Sequence, residues 1–253
     1  MDRILSDVTK FEHIGDVDTN DRTVQQERAL QAFLLRAVNA GDLRRDVYER
    51  IRPVGTNRPR MYGVPKIHKA GIPLRPILSM TNAPQHEVAK WLAEQLKPVV
   101  KKYSTFTIKD TFEFCEKLEE FQAENDSSSL FMCSFDVTSL FTSIPLEKTI
   151  DICLDSLYRG EDISAPTVPE KLFRKLLLKA TTEVEFSCNG EMYRQVDGVA
   201  MGSPWVQSWP TSLLVFARVG WIKESSRYCT AGLLMILFRS SPVRKNRKSS
   251  SPN

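Results

Sequence analysis

Leu130-Phe-Met-Cys-Ser-Phe-Asp-Val-Thr-Ser-Leu-Phe-Thr-Ser-Ile-Pro145 is the stretch on which the fold turns. From Leu130 to Phe135 the chain is almost continuously apolar, the pattern of a strand covered on both faces, and the run delivers an acid, Asp136, at its C-terminal end. An acid in that position suggests a site. A carboxylate that only caps the turn after a strand satisfies the same local pattern, so position alone leaves both readings open.

Downstream, Pro145 opens a helix carrying Ile150, Leu154 and Leu157 and ended by Gly160, and Pro169 opens another through Leu172, Leu176 and Leu177. Residues 182–188 and 191–195 flank Asn189-Gly190, the signal for a hairpin with a type I′ turn, and Gly198, Gly202 and Ser203-Pro204 follow at once. Upstream, residues 110–121 read as a helix with Asp110 as N-cap, Glu113 three residues on, and Phe114, Leu118 and Phe121 on its apolar face. Residues 85–97 place Val88, Trp91, Leu92 and Leu96 on one helical face, with Pro98 expected to end the helix. Before them, Tyr62-Gly-Val-Pro-Lys-Ile-His-Lys-Ala-Gly-Ile-Pro-Leu-Arg-Pro-Ile-Leu78 reads as short extended pieces, because each residue preceding a proline is pushed out of the helical region. Residues 24–40 form a helix with Leu30, Phe33, Leu34 and Ala37 on one face and Gly41 as terminator.

Three of these segments together, Tyr62 to Lys69 with Arg75-Pro-Ile, Phe135 to Pro145, and Gln195-Val-Asp-Gly-Val-Ala-Met-Gly-Ser-Pro204, resemble in order and spacing the reverse transcriptases of Penelope-like retroelements. The resemblance covers roughly residues 1–204, including Lys10-Phe-Glu-His and the helix at 24–40. It implies an α+β fold, the fingers and partial palm of a right-hand polymerase with an incomplete palm sheet. It divides the chain into an N-terminal helical extension (1–58), a fingers region (59–129), a partial palm (130–204) and a low-order basic tail (205–253). The activity implied is RNA-directed DNA polymerisation on an RNA template and DNA primer from deoxynucleoside triphosphates, with Mg²⁺ or Mn²⁺ as cofactor.

Polymerases stabilise the in-line displacement with two metal ions about 3.5–4 Å apart, held by hard oxygen ligands. By resemblance Asp136 is the first metal-bridging carboxylate and the Val137 carbonyl a further ligand. Phe141 sits where a bulky side chain under the incoming sugar leaves no room for a 2′-hydroxyl; as an ordinary core phenylalanine it would have no such role. Lys66 and Arg75 match the fingers residues that contact the triphosphate. Lys69 and Arg60 are either template-phosphate contacts or solvated surface charges. Gly198 and Gly202 would let the backbone approach the template base and nucleotide, although glycines also serve turns after a hairpin. Gln195 resembles a residue packed near the base or template strand.

After Pro204 the pattern breaks. The family continues with Leu-Gly-Pro-Val-Leu-Ala-Asn and then a hairpin bearing Tyr-x-Asp-Asp, which supplies the remaining metal carboxylate; neither occurs here. Instead three of the four tryptophans follow Pro204, and residues 205–253 hold 8 basic side chains against 1 acidic, so the net charge of +4 resides in the tail. Pro204-Trp-Val-Gln-Ser-Trp-Pro-Thr211 can be written in codons that, read one base earlier, give Leu-Gly-Pro-Val-Leu-Ala-Asn. In that frame the Met235–Ile236 junction encodes aspartate whichever isoleucine codon is used. Residues from about 205 onward are therefore expected to be out of frame, and the chain to be catalytically incompetent for want of the second carboxylate. A non-specific nucleic-acid binder or a protein-interaction module remain as other readings.

Composition is that of a globular chain, with 42% hydrophobic and 26% charged residues. No apolar run reaches the roughly 18 residues of a membrane helix, and the N-terminus lacks a secretory pattern, which predicts an intracellular protein, cytoplasmic or nuclear. The 5 cysteines are scattered without metal-ligand spacing and are expected to be reduced, with no disulfide partner.

Overall fold

Apolar stripes recurring every three or four residues produce the helices, and a two-residue alternation the strands. The computed structural model describes residues 2–16, 21–103, 108, 110–124, 130–136, 146–161, 163–182, 184–196, 199, 202–204, 226–230 and 233–239. In chain order the elements are α1 (Asp2–Leu5), β1 (Phe11–Asp16), α2 (Asp21–Asn39), α3 (Arg45–Ile51), β2 (Arg60–Pro65), β3 (Leu74–Ser79), α4 (His86–Tyr103), α5 (Thr111–Glu124), β4 (Leu130–Asp136), α6 (Leu146–Tyr158), α7 (Glu170–Thr182), β5 (Glu185–Cys188), β6 (Glu191–Gln195), β7 (Ser226–Thr230) and β8 (Leu233–Arg239). Two compact units result, one from 1–105 with 138–220, the other from 106–137 with 221–253.

In the first unit α2, α3, α4, α6 and α7 enclose a core in which Leu34, Leu92, Ile150 and Phe173 are wholly buried. Trp91 and Tyr158 pack on Phe173, with ring centroids 6.0 and 6.1 Å away. Gly41, at φ +78°, ends α2 as the sequence predicts, with its amide donating to the Val38 carbonyl and that of Asp42 to Ala37, both at 3.0 Å. Pro98 does not end α4, contrary to the sequence expectation. The helix runs on to Tyr103, and Val99, completely buried in the core, holds the turn after the proline; tertiary burial outweighs the lost intrahelical hydrogen bond.

The five-stranded sheet of this unit has the order β1-β6-β5-β2-β3. The β5–β6 hairpin turns on Asn189 and Gly190 at φ +52° and +89°, the two left-handed positions that a type I′ turn requires. β2 and β3 pair antiparallel from Arg60↔Ser79 to Pro65↔Leu74, while β2 meets β5 in parallel at Arg60↔Ser187. Phe11, Met61, Leu78 and Phe186 form a second buried cluster beneath the sheet.

The second unit contains α5 and a three-stranded sheet, β4-β8-β7. Asp110 caps α5 as predicted, its Oδ1 accepting from the Phe112 and Glu113 amides at 3.0 Å each. The sequence predicts low order after 205, with Leu213 to Val219 and Leu233 to Phe238 as the stretches able to fold opportunistically, and a palm sheet that lacks its central hairpin. A hairpin, β7–β8, instead pairs β8 along the whole of β4, from Leu130↔Arg239 to Asp136↔Leu233. The apolar, β-prone run Leu233-Leu-Met-Ile-Leu-Phe238 explains why that segment takes up a strand edge. Among the described residues no helix is long and apolar enough to cross a membrane, and Cys115, Cys153 and Cys188 are free thiols.

The segment before β2 is fastened to α2 by two side chains, Glu27 and Gln31. Glu27 accepts hydrogen bonds from the Thr56 amide (2.9 Å), the Thr56 hydroxyl (2.6 Å) and the Gly55 amide (3.3 Å), and Gln31 donates to the Pro53 carbonyl at 2.6 Å. Partial burial raises the Glu27 carboxyl, but the bonds from Thr56 and Gly55 outweigh it and hold its pKa below the ordinary value. A depressed folded-state pKa contributes stability above the unfolded-state pKa, and that contribution is lost as pH falls through the folded value. Glu27→Gln is expected to destabilise the protein by about 1 kcal/mol at pH 7. The difference between the two proteins should shrink below about pH 4.3, as chemical denaturation at a series of pH values would record.

Candidate nucleic-acid interface

Side chains alternate across a strand, so the β2–β3 register sorts the hairpin into two faces. Met61 and Leu78, a cross-strand pair, point into the core and are 8% and 1% exposed. Arg60, Tyr62 and Val64, with Arg75 opposite Val64 and Ile77 opposite Tyr62, occupy the other face. Lys66 follows Pro65 at the strand end in the same parity, and its amide donates to the Pro73 carbonyl at 2.9 Å, which continues the pairing by one step. Lys66 and Arg75 are thus brought together as diagonal neighbours on one face.

This face is open and chemically mixed. Tyr62 is 51% and Val64 43% exposed, and Ile67 and Ile72 in the connecting loop are more exposed still. Among the described residues, Arg60, Lys66, Lys69 and Arg75 have no carboxylate partner. Elsewhere in this unit arginines are commonly paired: Arg174 with Glu147 and Asp151, Arg159 with Asp155 and Glu170, Arg194 with Glu12. Unpaired cations beside exposed aromatic and aliphatic surface are the composition of a binding face. The alternation Arg60-Met-Tyr-Gly-Val64 carries the signal for Tyr62 and Val64, which the motif by itself does not single out.

Gly202 stands under the same hairpin. A Cβ on it would lie 1.7 Å from the Leu78 carbonyl oxygen and 2.9 Å from the carbonyl carbon, so the backbone at Gly202 presses directly on β3. Glycine is required there by packing against the protein's own strand. The neighbouring Ser203 is wholly buried, and its hydroxyl has no hydrogen-bond partner among the described residues. Gln195 ends β6 opposite Phe11, 5% exposed, and so lies inside the sheet rather than on the open hairpin face.

Asp136 is the last residue of β4 in the second unit, with Leu233 of β8 opposite. Its side chain, together with Val137, Phe141 and Gly198, lies outside the described residues. β7 (Ser226-Arg-Tyr-Cys-Thr230) and β8 (Leu233-Leu-Met-Ile-Leu-Phe-Arg239) contain no carboxylate, so the three strands offer Asp136 alone. Among the described residues no cluster of three or more acids, histidines or cysteines is placed to hold a metal ion. This donor set does not fit a two-ion centre.

No family model matches the sequence, and no curated protein matches it. Among solved structures, the chain is similar to apo telomerase from Candida Tropicalis, with a TM-score of 0.49 and 11% sequence identity over 74% of this chain and 40% of that one. The chain therefore spans well under half the length of that protein.

Gly202→Ala should destabilise the fold by about 1–3 kcal/mol, read as a lowered urea midpoint, because a methyl group must displace the β3 backbone. A glycine needed only for ligand approach would leave the midpoint unchanged.

Proposed function

We propose that this protein binds nucleic acid through the open face of the β2–β3 hairpin, as a fragment of an RNA-directed DNA polymerase of the Penelope-like retroelement type. The observation that carries the reading is the gathering of Arg60, Lys66 and Arg75, without carboxylate partners among the described residues, around the exposed Tyr62 and Val64. Cations in water neutralise phosphates and release counterions, and an exposed tyrosine ring offers a base a stacking surface without sequence preference. Arg75 presents a planar fork suited to a phosphate and Lys66 a mobile point charge, which is the division of labour that a triphosphate contact requires.

The motif order adds the finer assignment. Lys66 and Arg75 meet the incoming deoxynucleoside triphosphate, Phe141 excludes a 2′-hydroxyl, and Asp136 with the Val137 carbonyl ligates Mg²⁺ or Mn²⁺, on an RNA template and DNA primer. A single carboxylate on β4, with none on β7 or β8, supports catalytic incompetence of this chain.

The strand register also supports a tail read out of frame. Met235 pairs with Ser134, two residues before Asp136. The adjacent reading frame places an obligatory aspartate at the Met235–Ile236 junction, which would bring a second carboxylate beside the first. Nucleotide sequence across codons 204–236 decides the matter: absence of the Leu-Gly-Pro and Asp-Asp codons from the neighbouring frame overturns this part of the reading.

Binding and chemistry are separable by experiment. Affinity for a fluorescent single-stranded oligonucleotide should fall steeply between 50 and 200 mM salt, and Arg75→Ala should reduce the slope of log K against log salt by about 1. Salt-insensitive binding, or binding indifferent to Arg75, would sink the interface. Primer extension with Mg²⁺ should give no product; extension abolished by Asp136→Ala would overturn incompetence while leaving the polymerase ancestry standing. Binding without extension in a chain whose neighbouring frame lacks those codons would favour a simple nucleic-acid-binding module.

A further inference from the structure

Away from the hairpin, α2 and α7 border a furrow in the first unit. One cavity of about 440 Å³ is lined by Phe33, Arg36, Ala37 and Ala40 of α2 and by Lys171, Leu172 and Lys175 of α7. The ammonium of Lys179 lies 5.2 Å from the centre of the Phe33 ring, so α7 descends as α2 rises and the helices run in opposite directions. A second cavity of about 290 Å³, bordered by Leu30 and Lys179, prolongs the furrow beyond that contact.

The furrow is apolar along its floor and cationic along both rims. Phe33, Ala37 and Leu172 form the floor, while Arg36, Lys171 and Lys175 stand exposed at the edges without carboxylate partners among the described residues. Asp42 is the one acid lining this cavity. Lys171, Lys175 and Lys179 are spaced four residues apart, so they rise along one edge in steps of about 6 Å. A solvated helix surface has no need of this combination. Arg36, Lys171 and Lys175, without carboxylate partners among the described residues and flanking an apolar trough, are complementary in shape and charge to a helix that is apolar along one stripe and acidic at its flanks.

We infer that the α2–α7 furrow is a docking site for an acidic amphipathic helix of a partner protein. The partner inserts apolar side chains at i, i+4 and i+7 against Phe33, Ala37 and Leu172, and its flanking glutamates or aspartates meet Arg36, Lys171 and Lys175. The apolar floor decides for protein over nucleic acid: a phosphate backbone would use the rims and leave the floor uncovered. The site is independent of the β2–β3 hairpin face, and so stands or falls apart from the function proposed above.

The test uses the full chain and two synthetic 14-residue helical peptides of equal negative charge, one with leucine and one with serine at i, i+4 and i+7, followed by fluorescence anisotropy. The leucine peptide should bind and the serine peptide should not. Lys171→Glu/Lys175→Glu should weaken the leucine peptide at least tenfold, and Ala40→Trp, which fills the cavity without changing charge, should weaken it by a similar factor. Both substitutions fall on exposed positions, and thermal unfolding should remain that of the parent. Absence of leucine-peptide binding overturns the inference. So does equal binding of both peptides, or an oligonucleotide that displaces the leucine peptide and loses affinity on Lys171→Glu/Lys175→Glu but not on Ala40→Trp.

Discussion

The pairing of β2 with β3 in a single register is the constraint on which the rest of the first unit depends. Because side chains alternate with a period of two, setting Met61 opposite Leu78 inside the core sends Arg60, Tyr62, Val64 and Arg75 to the other side. A slip by one residue would bury the arginine pair and expose the core pair, so hydrophobic burial fixes the orientation of the charges. Gly202 locks the same register from below by contact with the Leu78 carbonyl, and Glu27 ties the preceding loop to α2. The stability of the sheet and the composition of its open face are consequences of one arrangement.

Electrostatics in this protein are divided between spent and unspent charge. Arg159, Arg174 and Arg194 each meet carboxylates on the surface, where such pairs contribute little to stability and mainly neutralise one another. Among the described residues, Arg60, Lys66 and Arg75 of the hairpin and Arg36, Lys171 and Lys175 of the α2–α7 furrow have no carboxylate partner. The two surfaces differ in their apolar component: exposed Tyr62 and Val64 on a strand face in one, a recessed trough between helices in the other. The proposed nucleic-acid face and the proposed helix-docking site thus differ in the kind of apolar surface they offer.

In the second unit, the acid that the sequence placed at the end of an apolar strand does end β4, but β7 and β8 contain no carboxylate, and their charged residues are Arg227 and Arg239. A strand neighbour is chosen by apolarity and β propensity, which Leu233 to Phe238 possess whatever the origin of that segment. Pairing of this kind restores backbone hydrogen bonds to β4 without restoring chemistry. Sheet completion and site completion are separate requirements.

Local chemistry was legible from residues alone wherever the controlling interaction spans a few positions. The Gly41 terminator, the Asp110 cap, the Asn189-Gly190 turn and the apolar stripes of α2, α6 and α7 all follow from neighbouring residues, because capping, turn conformation and helical periodicity are short-range effects. Tertiary structure alone decided the pairing of β1 with β6 across some 180 residues, the continuation of α4 through Pro98, the packing role of Gly202 and the union of β4 with β8. Each depends on contacts between distant segments, whose free energy is set by burial and backbone pairing in the assembled protein and leaves no periodic trace in either segment by itself.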